Sequence, residues 1–462
     1  MKKDAFAAAG LPQSSNHPVP GPGGQPLLGS MFDFQKDRLG FIMGLAREYG
    51  DVARYSLAHL TFYQVNHPAG LQHILQDNNH NCVRGAVYDT FRDMVGNGLA
   101  MSDGDFWLRQ RRLMQPVFHR QHVAAFADRM TEAAQAMLTG WVPFERSGQP
   151  IELTREITNL TMKIVTQALF SSAVGDETDA IGRAVTTILE GLAYRFDVPF
   201  YPPTLVPTPR NRRFIAAQRL IDQVIYGLIE ERRKAPGDHG DLLSLLMEAQ
   251  DADTGERMMD KQLHDEVLTL FIAGHETTAN LLAWAFYLLS THAHTQRQVH
   301  AEVTRVLGAR APTLADLPQL EYTRRVIDET LRLYPPAWIF NRSAVAEDEI
   351  CGYHIPANAI ITVSPYVTHR LPEFWVNPEG FDPERFAPEL AHNRPRFAYF
   401  PFGGGPHQCI GQSFALIEAQ LVLATIVQRY RLDLLPGHVV APVAAVTLRP
   451  RTGLPMTVHA AG

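Results

Sequence analysis

Cysteine is scarce in this 462-residue chain: there are three, Cys82, Cys351 and Cys409, odd in number and far apart. A disulfide framework is not expected, and a reducing, cytoplasmic setting fits better. Long apolar runs are also missing. The longest, residues 281–289, is about half of the ~20 residues that a bilayer-spanning helix needs. The N-terminus carries Lys2 and Lys3, but its apolar stretch is short and broken by Asp4 and Pro12, so neither a signal peptide nor a membrane anchor is expected. Basic charge does not dominate either. Lys+Arg number 42 against Asp+Glu 48, a net charge of −6. That balance argues against a nucleic-acid partner, because such binding draws on clustered basic charge. No internal repeat and no low-complexity tract is visible.

What is present is an ordinary globular balance, 45% hydrophobic and 19% charged, with ample material for a large core. The length would allow about three units at ~150 residues each. No linker divides the chain after residue 30, so the expected organisation is a Pro/Gly-rich lead-in over 1–30 and a single domain over 31–462. Pro12, Pro18, Pro20, Pro22 and Pro26 stand among glycines in that lead-in, which predicts a stiff, extended segment with no core of its own. Weak alternation over 51–66 predicts strands. Apolar spacing near 3.6 predicts helices over 122–138, 157–170, 180–195 and 211–233, and the proline-dense stretch 200–210 predicts a loop. Residues 264–292 would form one helix roughly 40 Å long. Its C-terminal half is apolar nearly all round, as a buried central helix requires. A further helix is expected over 412–431, and strands 443–448 and 454–459, joined by a turn, close the chain. The fold class is therefore mainly α with small β-sheets.

The most specific stretch is Phe402-Gly-Gly-Gly-Pro-His-Gln-Cys-Ile-Gly411. Three glycines and a proline force a tight irregular loop, since glycine alone readily accepts positive φ. Cys409 sits just ahead of the expected helix, where backbone N–H groups and the positive helix end favour a thiolate. Its pKa is expected below the ordinary ~8.5. A thiolate so held is a metal ligand or a nucleophile. The loop lacks the Gly-Lys-Ser/Thr ending of a phosphate-binding loop. It also has no second cysteine for a zinc site. Gly411-Gln-Ser-Phe-Ala415 misses a nucleophile elbow at its last position. Likewise His275-Glu276 would need a histidine where Ala279 stands to make a zinc-protease helix.

Phe402, Gly405, His407, Cys409 and Gly411 resemble the haem-binding loop of the cytochromes P-450, the haem-thiolate monooxygenases. In that resemblance Cys409 is the axial iron ligand, and His407 takes the position whose basic side chain meets a haem propionate. Three further motifs follow in the family's order. Glu329 and Arg332, one helical turn apart, resemble its Glu-x-x-Arg element, with Arg385 as third member of a structural triad. Ala273-Gly-His-Glu-Thr-Thr278 is poor mid-helix sequence, and the Thr277 hydroxyl can bond back to Ala273. The resemblance makes Glu276 and Thr277 the acid–alcohol pair that manages protons beside bound oxygen. Trp107 and Arg111, four apart, and Arg342 match its propionate-binding positions.

The resemblance implies the cytochrome P-450 fold, a long central helix over a haem with a Cys-ligand loop. It implies haem b (iron protoporphyrin IX), O2 as co-substrate, and insertion of one oxygen atom into a lipophilic fatty acid, terpenoid or steroid. NAD(P)H would act only through separate partners, a ferredoxin or flavodoxin with its reductase. Arg109, Arg111, Arg112 and Arg120 would offer an acidic carrier a basic face. Ala273, Ala337, Ile339 and Val446 are the substrate-lining candidates, all apolar. Two rivals stay open: a peroxide-driven or rearranging haem-thiolate enzyme, and a non-catalytic haem sensor.

Overall fold

The structure, a computed structural model, describes residues 18–171, 178–198, 201–235, 237, 239–251 and 253–461. Pro12 and residue 200, both invoked above, fall outside them. The chain divides into two compact units, each assembled from separated stretches.

The first unit takes residues up to 87 with 339–378 and 394–408. The alternation over 51–66 becomes two antiparallel strands, Val52–Leu57 and Leu60–Val65, in register from Val52↔Val65 to Leu57↔Leu60. Leu60–Val65 runs parallel to Ile360–Val363, which pairs antiparallel with Phe340–Ala344, and Cys82–Val83 completes a five-stranded sheet. Val52, Val65, Ile361 and Val363 are fully buried and pack with Leu71, Ile74, Phe397 and Phe400. The lead-in departs from expectation over residues 18–30. Arg54 N donates to Pro20 O (2.7 Å), Gly29 bridges to Leu57, and Val19 enters the core. Extended proline-rich chain cannot form its own core, but its free carbonyls extend an existing sheet edge.

The second unit takes 88–338, 379–393 and 409 onward, and it is mostly helical. Its spine is the helix Asp260–Thr291, 32 residues and roughly 48 Å long at 1.5 Å per residue. Leu281 to Phe286 are all buried, so this helix has no solvent face there. Helices Leu153–Phe170, Pro209–Lys234, Glu321–Leu333 and Gln412–Arg429 pack against it. Gly274 permits a close approach of helix Leu153–Phe170: a Cβ there would sit 2.8 Å from Val165 Cγ2. The poor helix residue is thus a packing device.

Two expectations are corrected in this unit. The stretch 122–138 is not one helix. It breaks between Arg120–Ala124 and Ala127–Thr139, where Ala125 N and Phe126 N bond three residues back (to His122 O and Val123 O), tightening the chain. The closing strands also do not pair with each other. Leu448–Pro450 pairs with Pro442–Ala444, whereas Pro455–Ala460 lies between Tyr430–Leu434 and Ile151–Glu152. The expected strand 443–448 instead folds back on itself, with Ala444 opposite Leu448 and Val443 opposite Arg449, so it offers no continuous edge to 455–460.

Candidate active site

Cys409 stands two residues before Gly411, the N-cap of helix Gln412–Arg429. Burial pushes its thiol pKa up, and the Gly411 N–H and the Arg111 charge pull it down by less. The expected lowering is therefore corrected: crowding by protein outweighs the helix end. The side chain is nevertheless open on one side. A coordinated metal deprotonates such a thiol outright. Among the described residues no group of three His, Cys, Asp or Glu side chains could hold a bare ion. Any iron on Cys409 would have this sulfur as its protein ligand, a donor set that suits a metal carried in a macrocycle. Arg111 lies on helix Gly104–Met114 with buried Trp107 one turn earlier. Burial lowers the Arg111 pKa, while the Cys409 charge raises it.

In the first unit, the glycine loop is shaped by close approach. Gly405 has φ +65°, and a Cβ there would lie 1.7 Å from Leu75 O. Only glycine fits. Phe402 lies just before this turn, and His407 ends the short helical turn Gly405–His407. Arg342, on strand Phe340–Ala344, is 6% exposed. Its Nη1 donates to Asn341 O (2.9 Å) and its guanidinium lies 5.2 Å from the Phe340 ring centre. Among the described residues no carboxylate pairs with it. A buried cation in this condition fits an anionic group such as a propionate.

The middle of the long helix turns polar and open. Thr277 Oγ1 donates to Ala273 O at 2.8 Å, and Ala273 itself is exposed although the turns on either side are buried. Glu276 points elsewhere than Thr277: its Oε1 accepts from Thr447 Oγ1 at 2.8 Å. Burial raises the Glu276 pKa, offset in part by the Thr447 hydroxyl and the Arg449 charge. Glu276 and Val446 line one cavity of about 460 Å³, together with Thr158, Arg213 and Arg449. Ala273 and Ala337, both exposed, and half-buried Ile339 do not line it. Sequence reasoning missed Thr447, Asn280 and Arg449. The available signal was a polar residue in each of two apolar runs, Asn280 before Leu281 and Thr447 after Val446.

Glu329, Arg332 and Arg385 come together as a triad. Glu329 and Arg332 are fully buried. Arg332 Nε and Nη2 donate to the two Glu329 oxygens at 2.6 and 2.7 Å, and Arg385 Nε reaches Oε1 at 3.2 Å. Asp382 N also donates to Glu329, and both arginines donate to Gly380 O. A second buried carboxyl, Glu418 on helix Gln412–Arg429, has only the Thr278 hydroxyl to offset burial, which pushes its pKa well above 4.5. The folded chain then binds this proton more tightly than the unfolded chain, so stability falls as pH rises above the ordinary value toward the raised one. Glu418→Gln removes that penalty and is expected to flatten the fall of the melting temperature as pH rises above about 4.5. An unchanged slope would contradict the assignment.

The basic docking face expected from four arginines is largely neutralised. Arg112 pairs with buried Asp251 (3.0 Å) and with Asp253, and Arg109 pairs with Glu256 at 3.0 Å. Arg111 is half-buried and feels the Cys409 charge, and the Arg120 side chain lies outside the described residues. Charge reversal at Arg112 would therefore set three carboxylates against one another and would not report cleanly on a partner.

The cytochrome P450 family model matches residues 19–452. The chain belongs to the cytochrome P450 family. This P450 is 38% identical to cyclooctatin synthase of Streptomyces melanosporofaciens over 92% of both chains. It is 37% identical to the cyclooctat-9-en-7-ol 5-monooxygenase of the same organism over 90% of both. The pentalenene oxygenase of Streptomyces avermitilis is 34% identical, with 92% of this chain and 94% of that one covered. Among solved structures, the heme domain of cytochrome P450DA superposes with a TM-score of 0.88 at 28% identity, covering 96% of this chain and 97% of that one. The chain is a P450 monooxygenase, an oxidoreductase with a haem-iron cofactor that uses O2. No helix among the described residues is long and apolar enough to cross a membrane.

Proposed function

We propose that this P450 inserts one oxygen atom into a cyclic terpenoid, by hydroxylation or epoxidation. Electrons would pass from NAD(P)H through a reductase and a separate ferredoxin or flavodoxin. The observation that carries the substrate class is the likeness, at 34–38% identity, to three Streptomyces enzymes named for cyclooctatin, cyclooctat-9-en-7-ol and pentalenene. The apolar candidates, exposed Ala273, Ala337 and Val446 and half-buried Ile339, accord with a ligand recognised mainly by its hydrocarbon surface. Three free cysteines among the described residues accord with a reducing, cytoplasmic setting.

The cofactor in this reading is haem b, iron protoporphyrin IX, which when bound supplies reductive activation of O2 at a thiolate-ligated iron. Cys409 would hold the iron. Trp107, Arg111, Arg342 and His407 would bind the propionates, with Phe402 at the start of the loop that presents the sulfur. Glu276 supplies protons, its raised pKa bringing it nearer to neutrality and so nearer to use as a general acid. The Thr277 hydroxyl hydrogen is committed to Ala273 O, which leaves its oxygen lone pairs to accept a hydrogen bond from water. Glu329, Arg332 and Arg385 hold the backbone at Gly380 and Asp382 and have no chemical part.

The test is a binding screen on the ferric protein. Cyclic terpene alcohols and hydrocarbons, fatty acids and steroids are titrated while the shift from low to high spin is followed. Hits are then turned over with surrogate carriers and NADPH. A terpenoid that gives the shift and a product one oxygen atom heavier is expected. Fatty acids binding and reacting while every terpenoid fails would overturn the reading.

A further inference from the structure

Glu276 is held by a chain of two further residues. Thr447 Oγ1 donates to Glu276 Oε1 at 2.8 Å, and Asn280 Nδ2 donates to Thr447 Oγ1 at 3.1 Å. Thr447 is 6% exposed and Asn280 3%, so bulk solvent has little access to these bonds. Asn280 lies four residues after Glu276 on the same helix, hence on the same face. A hydroxyl has one hydrogen and two lone pairs. With the Asn280 amide hydrogen on one lone pair, the Thr447 hydrogen is directed to Glu276.

The loop that presents Thr447 is itself fixed. Trp338 Nε1 donates to Ala445 O (2.8 Å), Leu448 N to Pro336 O (3.0 Å), and Trp284 Nε1 to Leu448 O (3.1 Å). The carboxyl faces the cavity of about 460 Å³, ample for a file of waters at roughly 30 Å³ each. Arg213 and Arg449, both exposed, stand on its wall and mark its side toward solvent. The ionisable groups around Glu276 come from every packed element. They are Arg449 from the hairpin, Glu190 and Tyr194 from helix Thr178–Asp197, Arg210 and Arg213 from helix Pro209–Lys234, and His275 beside it. Helix Leu153–Phe170 contributes only hydroxyls.

We propose that Thr447, oriented by Asn280, is a positioning residue that keeps the Glu276 carboxyl turned into this polar cavity, which is the route by which solvent protons reach the long helix. The proposal rests on the reading of Glu276 as proton donor. The hydroxyl stabilises the ionised carboxylate, so its loss leaves Glu276 harder to ionise and free to swing from the waters that recharge it.

The test compares Thr447→Val, which removes the hydroxyl at nearly constant shape, with Thr447→Ser, which keeps it. One readout needs no turnover. The infrared band of the protonated Glu276 carboxyl, identified by its loss in Glu276→Gln, is titrated in the ferric protein. The second readout is the share of electrons ending in product and not in hydrogen peroxide. Thr447→Val should move the titration midpoint upward and lower the product share severalfold, whereas Thr447→Ser should match the wild type. Asn280→Leu, which frees the hydroxyl to rotate, should give a smaller shift of the same sign and serves if Thr447→Val does not fold. An unchanged midpoint and product share in Thr447→Val, or Thr447→Ser behaving like Thr447→Val, overturns the positioning role. If Glu276→Gln itself leaves the product share and the solvent isotope effect unchanged, it is the donor reading that fails.

Discussion

Cys409→Ser is expected to reduce monooxygenase turnover to background while leaving the polypeptide folded. The sulfur lies outside helix Gln412–Arg429, whose buried face is built from Phe414 onward. Little packing is lost when one atom changes at an open position. The chemistry, by contrast, loses its ligand. Serine's hydroxyl is a far weaker acid than a thiol, and neither the Gly411 N–H nor Arg111 offsets burial even for the thiol. An alcohol oxygen here would be a poorer electron donor to iron than a thiolate sulfur. The measurements are product formation with surrogate carriers, far-ultraviolet circular dichroism, and haem content. Retained oxygenation by a folded Cys409→Ser protein would contradict the assignment.

The second large effect belongs to the triad. Glu329→Gln is expected to destabilise the chain by about 3–5 kcal/mol, the range for removing one partner of a buried ion pair. Two guanidinium groups, Arg332 fully buried and Arg385 nearly so, would lose the charge that neutralises them. The Asp382 N–H would also lose its carboxylate acceptor. Against a typical total of ~5–15 kcal/mol, such a loss is visible as poor soluble yield and a lowered melting temperature. Arg385→Lys should cost less, because Arg332 keeps its two contacts with Glu329. A Glu329→Gln protein melting within a degree or two of wild type, on a scale where ~1 kcal/mol moves a large domain by a few degrees, would show the triad to be dispensable.

What could be read in the sequence was local. The 3.6-residue spacing located the long helix to within a few residues of Asp260–Thr291, since helical contacts lie three and four apart. The glycines of the cysteine loop were legible because Gly405 answers a purely backbone requirement. The i, i+3 spacing of Glu329 and Arg332 was equally visible. What could not be read depends on distant partners. Strand Pro455–Ala460 pairs with Tyr430–Leu434, about 25 residues earlier, while 443–448 closes on itself as a hairpin. Arg112 is neutralised by Asp251, well over a hundred residues away. The direction of the Cys409 shift depended on burial, which overrides the helix end, and burial is a property of the folded unit alone. The polarity of Thr447 was visible in its apolar run, but its partner Glu276 is 171 residues away, so the contact itself was not.

The central claim is an ionised Cys409 sulfur bound to haem iron. It is tested most directly by the absorption spectrum of the dithionite-reduced protein under carbon monoxide. A Soret band displaced strongly to the red is expected, as thiolate ligation would produce. A haem-loaded, folded protein whose band stays at the position typical of histidine-ligated iron would contradict it.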